Sequence, residues 1–234
     1  MLRLAGGETW GPFERMLCEM TSLILAAVLA PTVQKAPPAL VRVINAVADR
    51  ESLAFSIGDG TWENVPYGQR TRYEMIDVER ALTPTVIESR KGERITNEVA
   101  IKLQPSYPHT VIFTGKVQDS GRFTPIVIRD VDSGRPVGNT VQIQFVNAMS
   151  DQQVVSIKLD DKIPARYKTL AFGTPTGMLG FAVREYTVTL SDAKGTEMFS
   201  TKFQAFSGTR YLAVAMGASG EQGNRAPRVF FYTF

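Results

Sequence analysis

The chain has 234 residues, of which 44% are hydrophobic and 21% charged, and its 26 basic and 23 acidic residues give a net charge of +3. This length holds one large domain or two small ones, and so small a basic excess, without a run of five Lys or Arg, excludes the electrostatic surface typical of nucleic-acid binding. One cysteine, Cys18, and one histidine, His109, exclude an internal disulfide and a zinc site made of four Cys and His ligands.

The N-terminal region contains an uncharged apolar run, Met20 to Ala30. Its length suits the core of a secretory signal and falls short of the roughly 20 residues that span a bilayer. Residues 1–36 are therefore predicted to be a signal peptide or an N-terminal tether, with 20–30 as the possible membrane attachment. A helix packed on the domain is the remaining alternative. Export predicts a periplasmic, secreted or cell-surface bacterial protein, and a cleaved product without Cys18 would suit an oxidising compartment.

The remainder of the chain is an internal repeat. Residues 41–49, Val-Arg-Val-Ile-Asn-Ala-Val-Ala-Asp, match residues 143–151, Ile-Gln-Phe-Val-Asn-Ala-Met-Ser-Asp, at an offset of 102. Further matches follow in the same order: 53–57 with 155–159, 64–68 with 169–173, Val86 with Val188, and 110–115 with 212–217. This pattern predicts two domains, 40–131 and 140–234, joined by a linker over 132–139 that is rich in turn-forming residues.

Each repeat has the pattern of short β-strands. Leu53, Phe55 and Ile57 alternate with smaller or polar residues, as in half-buried strands, and no long stretch has a helical period. We predict an all-β fold of two tandem antiparallel β-sandwich, immunoglobulin-like domains, preceded by the signal-like helix. The predicted strands include Val99 to Leu103 in the first repeat and the last segment, Arg228 to Phe234, whose edge is a possible partner contact.

These motifs resemble a known family. The start Val-Arg-Val-Ile-Asn-Ala, the turn Gly58-Asp59-Gly60, the segment Asn64 to Gly68 and the closing Thr-Val-Ile-Phe-Thr-Gly strand resemble tandem β-sandwich repeats known as domain of unknown function 4397. That resemblance implies an exported or surface-attached bacterial protein. The layout is also similar to the periplasmic accessory protein family of alginate O-acetylation, whose repeats begin Arg-Val-x-Asn, although Gln144 replaces the arginine in the second repeat.

Aromatic and basic residues form the candidate binding site. Tyr67 and Phe172 occupy matching positions, each before a glycine, and Trp62 and Tyr73 lie near Tyr67 in the sequence. Such rings would stack on sugars, or else fill the core at the mouth of the sandwich. Five arginines of the first repeat would attract an acidic polysaccharide or another subunit, or else form a solvated surface: Arg70, Arg72, Arg80, Arg90 and Arg94.

Two repeated pairs of polar residues, Asn45 with Asp49 and Asn147 with Asp151, are predicted to be structural turns. The alternative is that they bind a cation or sugar hydroxyls. The fragment Asp130-x-Asp132-x-Gly134 has hard oxygen ligands but lacks the rest of a calcium loop, which favours a linker turn. No metal or cofactor is predicted.

Catalysis would depend on His109, with a nucleophile such as Ser106, but no Gly-x-Ser-x-Gly elbow presents a serine. We therefore expect a structural histidine and a protein that is not an enzyme. The sequence favours a non-enzymatic, exported binding or scaffolding module of the bacterial cell envelope, with an envelope protein or a polysaccharide as partner. The alternative, implied by the second resemblance, is an accessory protein of alginate-type exopolysaccharide O-acetylation that acts through partner contacts.

Overall fold

The computed structural model describes residues 36–78, 81–88, 94–96, 99–116, 122–130, 134–160 and 169–234. The predicted signal segment lies outside these residues apart from Ala36, as do Cys18, Arg80, Arg90, Asp132 and the side chain of Arg94. No helix in the described part of the chain is long and apolar enough to cross a membrane.

The described residues form sixteen strands and one 3₁₀ turn. The first repeat contains β1 (Ala39–Val47), β2 (Ser52–Ile57), β3 (Gly60–Pro66), β4 (Glu74–Ile76), β5 (Thr85–Glu88), β6 (Arg94–Thr96), β7 (Pro108–Lys116) and β8 (Arg122–Arg129). The second contains β9 (Thr140–Asn147), β10 (Val154–Leu159), β11 (Leu170–Ala171), β12 (Leu179–Ala182), β13 (Glu185–Ser191), β14 (Glu197–Gln204), β15 (Arg210–Met216), the 3₁₀ turn (Gly223–Arg225) and β16 (Arg228–Thr233).

These strands form four sheets of four strands each, two in each repeat. Sheet I has the order β4-β1-β7-β8 and sheet II the order β3-β2-β5-β6, while the second repeat has sheet III, β12-β9-β15-β16, and sheet IV, β11-β10-β13-β14. The strand order of sheet I corresponds position by position to that of sheet III, and the order of sheet II to that of sheet IV. The prediction of an all-β fold with sandwich-like sheets is confirmed. One pair in each repeat, β1 with β7 and β9 with β15, is parallel rather than antiparallel. A parallel pair needs a crossover connection, and here the strands of the opposite sheet supply it.

One predicted strand was wrong, and several strands were not predicted. Residues Val99 to Leu103 do not form a strand, because only Ile101 pairs, in a single bridge with Leu82. The segment Gly60 to Pro66 was not predicted, yet it forms β3 and a hairpin with β2.

Each repeat has its own apolar core between its two sheets. In the first, Phe55 stacks on Phe113 with ring centres 4.4 Å apart, between sheets II and I. In the second, Phe203 stacks on Phe231 at 3.7 Å, between sheets IV and III. Every second residue of the paired strands points into these cores, as the pleat requires.

A third apolar layer lies between sheets I and III and joins the two repeats. Its largest contributions come from β1, β7 and β8 on one side and from β9, β15 and β16 on the other: Ile44, Ala46, Ile112, Ile126 and Ile128 face Val146, Leu212, Val214, Met216 and Tyr232. The central strands of both sheets are therefore buried on both faces. Such strands have nearly continuous apolar sequences, and Leu212 to Met216 is one.

The contact between the repeats is reciprocal. Gly68 of the first repeat packs against the Phe230 ring of β16. Its counterpart Gly173 in the second repeat faces Ile126, which occupies the equivalent position in β8. Gly68 has φ +73°, and a Cβ at this position would lie 2.8 Å from the Phe230 ring. Only glycine adopts a positive φ without strain and also leaves room for the ring. Each repeat thus presents the same surface to the other, as in an isologous dimer interface.

The layer between the repeats should be as sensitive to truncation as an ordinary core. Leu212→Ala, at a fully buried position, is expected to lower the free energy of unfolding by about 2–5 kcal/mol. Val137→Ala, at a position 86% exposed, should change it by less than about 0.5 kcal/mol. Urea unfolding of both variants measures the difference. Equal, small effects would contradict a packed layer at this interface.

Candidate binding cleft

Several connections between strands differ in length between the repeats, and the one after β15 is among them. The loop from β7 to β8 has five residues, 117–121, whereas the corresponding loop from β15 to β16 has eleven, 217–227. The longer loop contains the 3₁₀ turn Gly223–Arg225. Long surface loops often carry function, so the 217–227 loop is a candidate functional segment.

Hydrogen bonds hold this long loop in place. The Ser219 backbone N–H donates to Oδ2 of Asp151 at 2.6 Å, and the Gln152 side-chain amide donates to the Ser219 hydroxyl at 2.8 Å. Lys116, at the end of β7 in the first repeat, lies 3.9 Å from the Glu221 carboxylate. These contacts attach the loop to both repeats and limit its freedom before any ligand arrives.

The backbone at the start of the loop is also constrained. Gly217 has φ +112°, and a Cβ there would lie 2.5 Å from the Ala226 carbonyl oxygen. The Ala218 N–H donates to the Arg225 carbonyl at 3.1 Å, which closes the loop upon itself. The two ends of the loop therefore pack backbone to backbone.

The loop forms one wall of a cleft of about 550 Å³, and the first repeat forms the other. This volume lies within the range of about 300–1,000 Å³ typical of small-molecule sites. The lining combines carboxylate, amide, guanidinium and aromatic groups: Glu51, Pro66 and Tyr67 from the first repeat, and Glu221, Gln222, Asn224 and Arg225 from the loop.

Tyr67 is the aromatic residue of the cleft. Its ring meets the Phe230 ring edge to face, with centres 6.3 Å apart. Burial raises the pKa of its hydroxyl, and the positive charges of Arg228 and Arg225 oppose this only in part, so the hydroxyl stays protonated at neutral pH. Its oxygen is buried and has no hydrogen-bond partner among the described residues. An unpaired buried hydroxyl is unfavourable, and a water or a ligand at the cleft would satisfy it.

Tyr73, Arg70 and Arg72 do not join Tyr67 in this cleft. Arg70 is exposed and donates to the backbone carbonyl and, at 3.0 Å, to the hydroxyl of Thr233, near the end of β16. Arg72 is exposed as well. Tyr73 is half-buried and donates its hydroxyl to the Asp130 carboxylate. The side chains of Arg70 and Tyr73 thus make hydrogen bonds within the fold.

A buried ion pair organises the region around Tyr73. Arg42 is 2% exposed, and its Nη2 lies 3.6 Å from Oδ2 of Asp130. Its Nε donates to the Thr110 hydroxyl at 2.9 Å, and that hydroxyl donates in turn to Asp130. The guanidinium also lies 4.8 Å from the Tyr73 ring centre and donates to the Thr233 carbonyl of the other repeat.

The buried position of Asp130 is better explained by its place in this network than by calcium binding or by a turn in the linker. Burial lowers the pKa of Arg42, and the charge of Asp130 opposes that effect. Breaking such a pair leaves an uncompensated buried charge. The feature of the sequence that could have indicated this network is an arginine inside an otherwise apolar strand, Val-Arg-Val-Ile. It was interpreted only as a family motif.

The two other aromatic candidates belong to the packed interior. Phe172 is half-buried against the layer between the repeats, at the position that matches Tyr67, and pairs with Asn147 in an isolated bridge. Trp62 is 5% exposed in the first core, between sheets I and II. Only Tyr67, among the aromatic candidates, lines the cleft.

The paired asparagines share two side-chain hydrogen bonds in both repeats. Oδ1 of Asn45 accepts from the Val47 N–H at 3.1 Å, and its Nδ2 donates to the Val65 carbonyl at 2.9 Å. Oδ1 of Asn147 likewise accepts from Met149 at 3.0 Å, and its Nδ2 donates to Leu170 at 3.3 Å. This is the geometry of an Asx-type turn.

The paired aspartates differ in their surroundings. Asp49 lies 3.1 Å from the Arg50 guanidinium, within its own turn. Asp151 anchors the long loop through Ser219. Sequence reasoning also overlooked Thr71 and Thr176, whose hydroxyls accept from the backbone N–H groups of Val43 and Phe145 at equivalent places.

His109 is 3% exposed and both of its ring nitrogens are engaged. Nδ1 lies 2.9 Å from the Tyr107 carbonyl, and Nε2 accepts from the Gln104 N–H at 3.2 Å, which fixes a neutral ring with its proton on Nδ1. Ser106 occupies a left-handed turn, with φ +66°, and its N–H donates to the Pro38 carbonyl. The histidine therefore joins the loop before β7 to the strand itself.

A family model described as "Domain of unknown function (DUF4397)" matches residues 39–158, half of the chain. The chain belongs to the DUF4397 family. The DUF4397 match covers the first repeat and the first two strands of the second. No curated protein matches the chain. A solved structure described as "Alpha-glucan binding by a streptococcal virulence factor" is 14% identical, and the alignment covers 83% of this chain and 96% of that one at a TM-score of 0.25. At this score the likeness supports no conclusion about fold or function.

Protonation of His109 is expected to destabilise the fold. Burial lowers the pKa of this side chain below its ordinary value of about 6.5, so the folded protein binds the proton more weakly than the unfolded chain does. Its contribution to stability is complete above about pH 6.5 and is lost as the pH falls below that value. Denaturant unfolding of the wild type and His109→Gln between about pH 7.5 and about pH 5 tests this. The wild type should lose stability relative to the variant, whereas a constant difference would contradict the prediction.

Proposed function

We propose that this protein is a non-enzymatic, exported binding module of the bacterial cell envelope that holds a glycan in the cleft between Tyr67 and the 217–227 loop. The observation that carries the proposal is the cleft itself, which lies between Tyr67 of the first repeat and a loop of the second repeat that is longer than its counterpart.

The lining suits a glycan. Sugar hydroxyls both donate and accept, and the cleft offers both kinds of partner. Gln222 and Asn224 supply amides, Glu51 and Glu221 supply acceptors, and Arg225 supplies donors. The Tyr67 ring adds an apolar surface of the kind on which sugar rings pack. A site of this composition binds through many moderate hydrogen bonds around one aromatic contact.

The non-enzymatic part of the proposal is supported by the position of His109. A general base must reach the proton that it removes, whereas this ring is buried and its two nitrogens are held by Tyr107 and Gln104. It does not line the cleft.

The alternative is an accessory role in alginate-type exopolysaccharide O-acetylation through protein contacts. A specific observation favours a protein partner: Leu40 and Met75 lie side by side on β1 and β4, and they are 44% and 71% exposed. Co-purification with envelope proteins, in the absence of glycan affinity, would support this alternative over the cleft.

Export is tested by expressing the full-length chain in a bacterial host, separating periplasm, membrane and cytosol, and measuring the intact mass. We expect a periplasmic protein shortened near Ala30 or Ala36. A full-length, membrane-bound product would indicate a tether through residues 20–30. A full-length cytosolic product would contradict export.

The cleft is tested with variants of two of its loop residues, the half-buried Arg225 and the exposed Asn224. Arg225→Ala and Asn224→Ala should each weaken glycan capture by about fivefold to a hundredfold, as expected when a hydrogen bond of about 1–3 kcal/mol is lost. Both should melt within a few degrees of the wild type. Arg135→Ala, an exposed arginine in the segment between the repeats, is the matched control. Affinity electrophoresis and calorimetry against a glycan panel give the readout, and equal binding by all three variants would place the site elsewhere.

A further inference from the structure

The turn that leads into β7, residues 104–108, holds the beginning of β1. The Ser106 N–H donates to the carbonyl of Pro38, one residue before β1, at 3.1 Å, and Ser106 has φ +66°. The His109 ring closes this turn, because its Nε2 accepts from the Gln104 N–H, five residues earlier, at 3.2 Å. The position of the turn therefore depends on an acceptor nitrogen of a buried imidazole.

The turn that leads into β15, residues 206–210, is built in the same way at an offset of 102 residues. The Gly208 N–H donates to the carbonyl of Thr140, at the start of β9, at 3.1 Å, and Gly208 has φ +70°. The ring that closes this turn is Tyr211, whose hydroxyl oxygen accepts from the Phe206 N–H at 3.4 Å, again five residues earlier. The two turns thus differ in the acceptor that closes them, a ring nitrogen in one and a phenol oxygen in the other.

We infer that the 104–108 turn is a proton-sensitive latch, which opens when His109 is protonated while the equivalent turn of the second repeat stays closed. The neutral ring keeps its proton on Nδ1, which donates to the Tyr107 carbonyl at 2.9 Å, and so leaves Nε2 free to accept. Protonation adds an N–H at Nε2, which then faces the Gln104 N–H donor to donor. The Tyr211 hydroxyl takes up no further proton at acidic pH and keeps its acceptor.

Burial and the charges around the ring favour the neutral form in the closed turn. In sheet I, His109 lies between β1 and β8. Burial lowers the pKa of His109, an effect that the Tyr107 carbonyl and the charge of Asp130 oppose and the charge of Arg129 reinforces. On β1 the charged neighbour is Arg42, which is paired with Asp130. The open turn therefore binds the proton more strongly than the closed turn, and acidification below about pH 6.5 favours opening.

Opening the latch frees the place where the chain enters β1. The Ser106 bond to Pro38 depends on the closed turn, and Leu40, two residues beyond Pro38, is already 44% exposed. Tyr107, within the turn, is 41% exposed. None of these residues lines the cleft. The latch thus acts on the start of β1 independently of the proposed glycan site.

Hydrogen exchange resolved to single amides tests the latch on the purified full-length protein between about pH 7.5 and about pH 5, with rates corrected for the intrinsic effect of pH. The Gln104 and Ser106 amides should lose protection by up to about thirtyfold over this range. That is the ratio for a histidine with a pKa of about 6.5 in the open turn and no bound proton in the closed turn. The Phe206 and Gly208 amides of the second repeat should keep their protection.

Two variants remove the titration but keep an acceptor. His109→Tyr places the residue of the second repeat in the first, and His109→Gln offers an amide oxygen should the larger ring disturb the fold. In either variant the protection of Gln104 should be the same at both pH values. A wild type without the loss at Gln104, an equal loss at Phe206, or a loss that persists in a folded variant would each overturn the latch.

Discussion

The apolar layer between sheets I and III is the contact on which the rest of this molecule depends. It buries the second face of β1, β7, β9 and β15, strands that already pack on their own cores. Polar groups in such strands must find partners within the protein. Arg42 meets this requirement through Asp130 and Thr110, and the Thr114 hydroxyl does so by donating to the Ala148 carbonyl of the other repeat. The repeats are consequently parts of one packed body rather than independent modules on a linker.

This layer also explains why a binding site can form at the junction. A cleft between freely moving domains would have to be ordered by its ligand, at a cost to affinity. Here Tyr67 is fixed by its packing on Phe230, and Tyr232 donates to the carbonyl of the adjacent Gly68 at 2.8 Å. The opposite wall is fixed by Asp151. Contacts within the protein therefore hold both walls of the cleft in position.

The sequence predicted the fold class better than the site, for physical reasons. The alternation of Leu53, Phe55 and Ile57 reports burial on one face, so strands and their duplication could be inferred. The continuous apolar run Leu212 to Met216 reports burial on both faces, but a run of that kind does not identify the partner surface. Tyr67 lines the cleft and Trp62 lies in the first core, and the sequence could not distinguish the two because both are aromatic residues near a turn. Glu221 and Asn224 line the cleft only because distant parts of the chain come into contact, and no local sequence pattern predicts this.

Comparison of the two repeats within the chain isolates what is specific to each. The register of the strands aligns Arg42 with Gln144 and Thr110 with Leu212, and equivalent backbone bonds to Pro108 and Arg210 align Asp130 with Phe234. The ion-pair network is thus present once, at one end of the shared layer, where it holds β16. At the other end the loop after β15 is longer than its counterpart. Framework positions such as Asn45 and Asn147 share equivalent bonds in both copies, whereas the ion pair and the long loop are each found in one copy. One end joins the repeats and the other forms the cleft, which is why a ligand should be sought at the cleft rather than at the arginines.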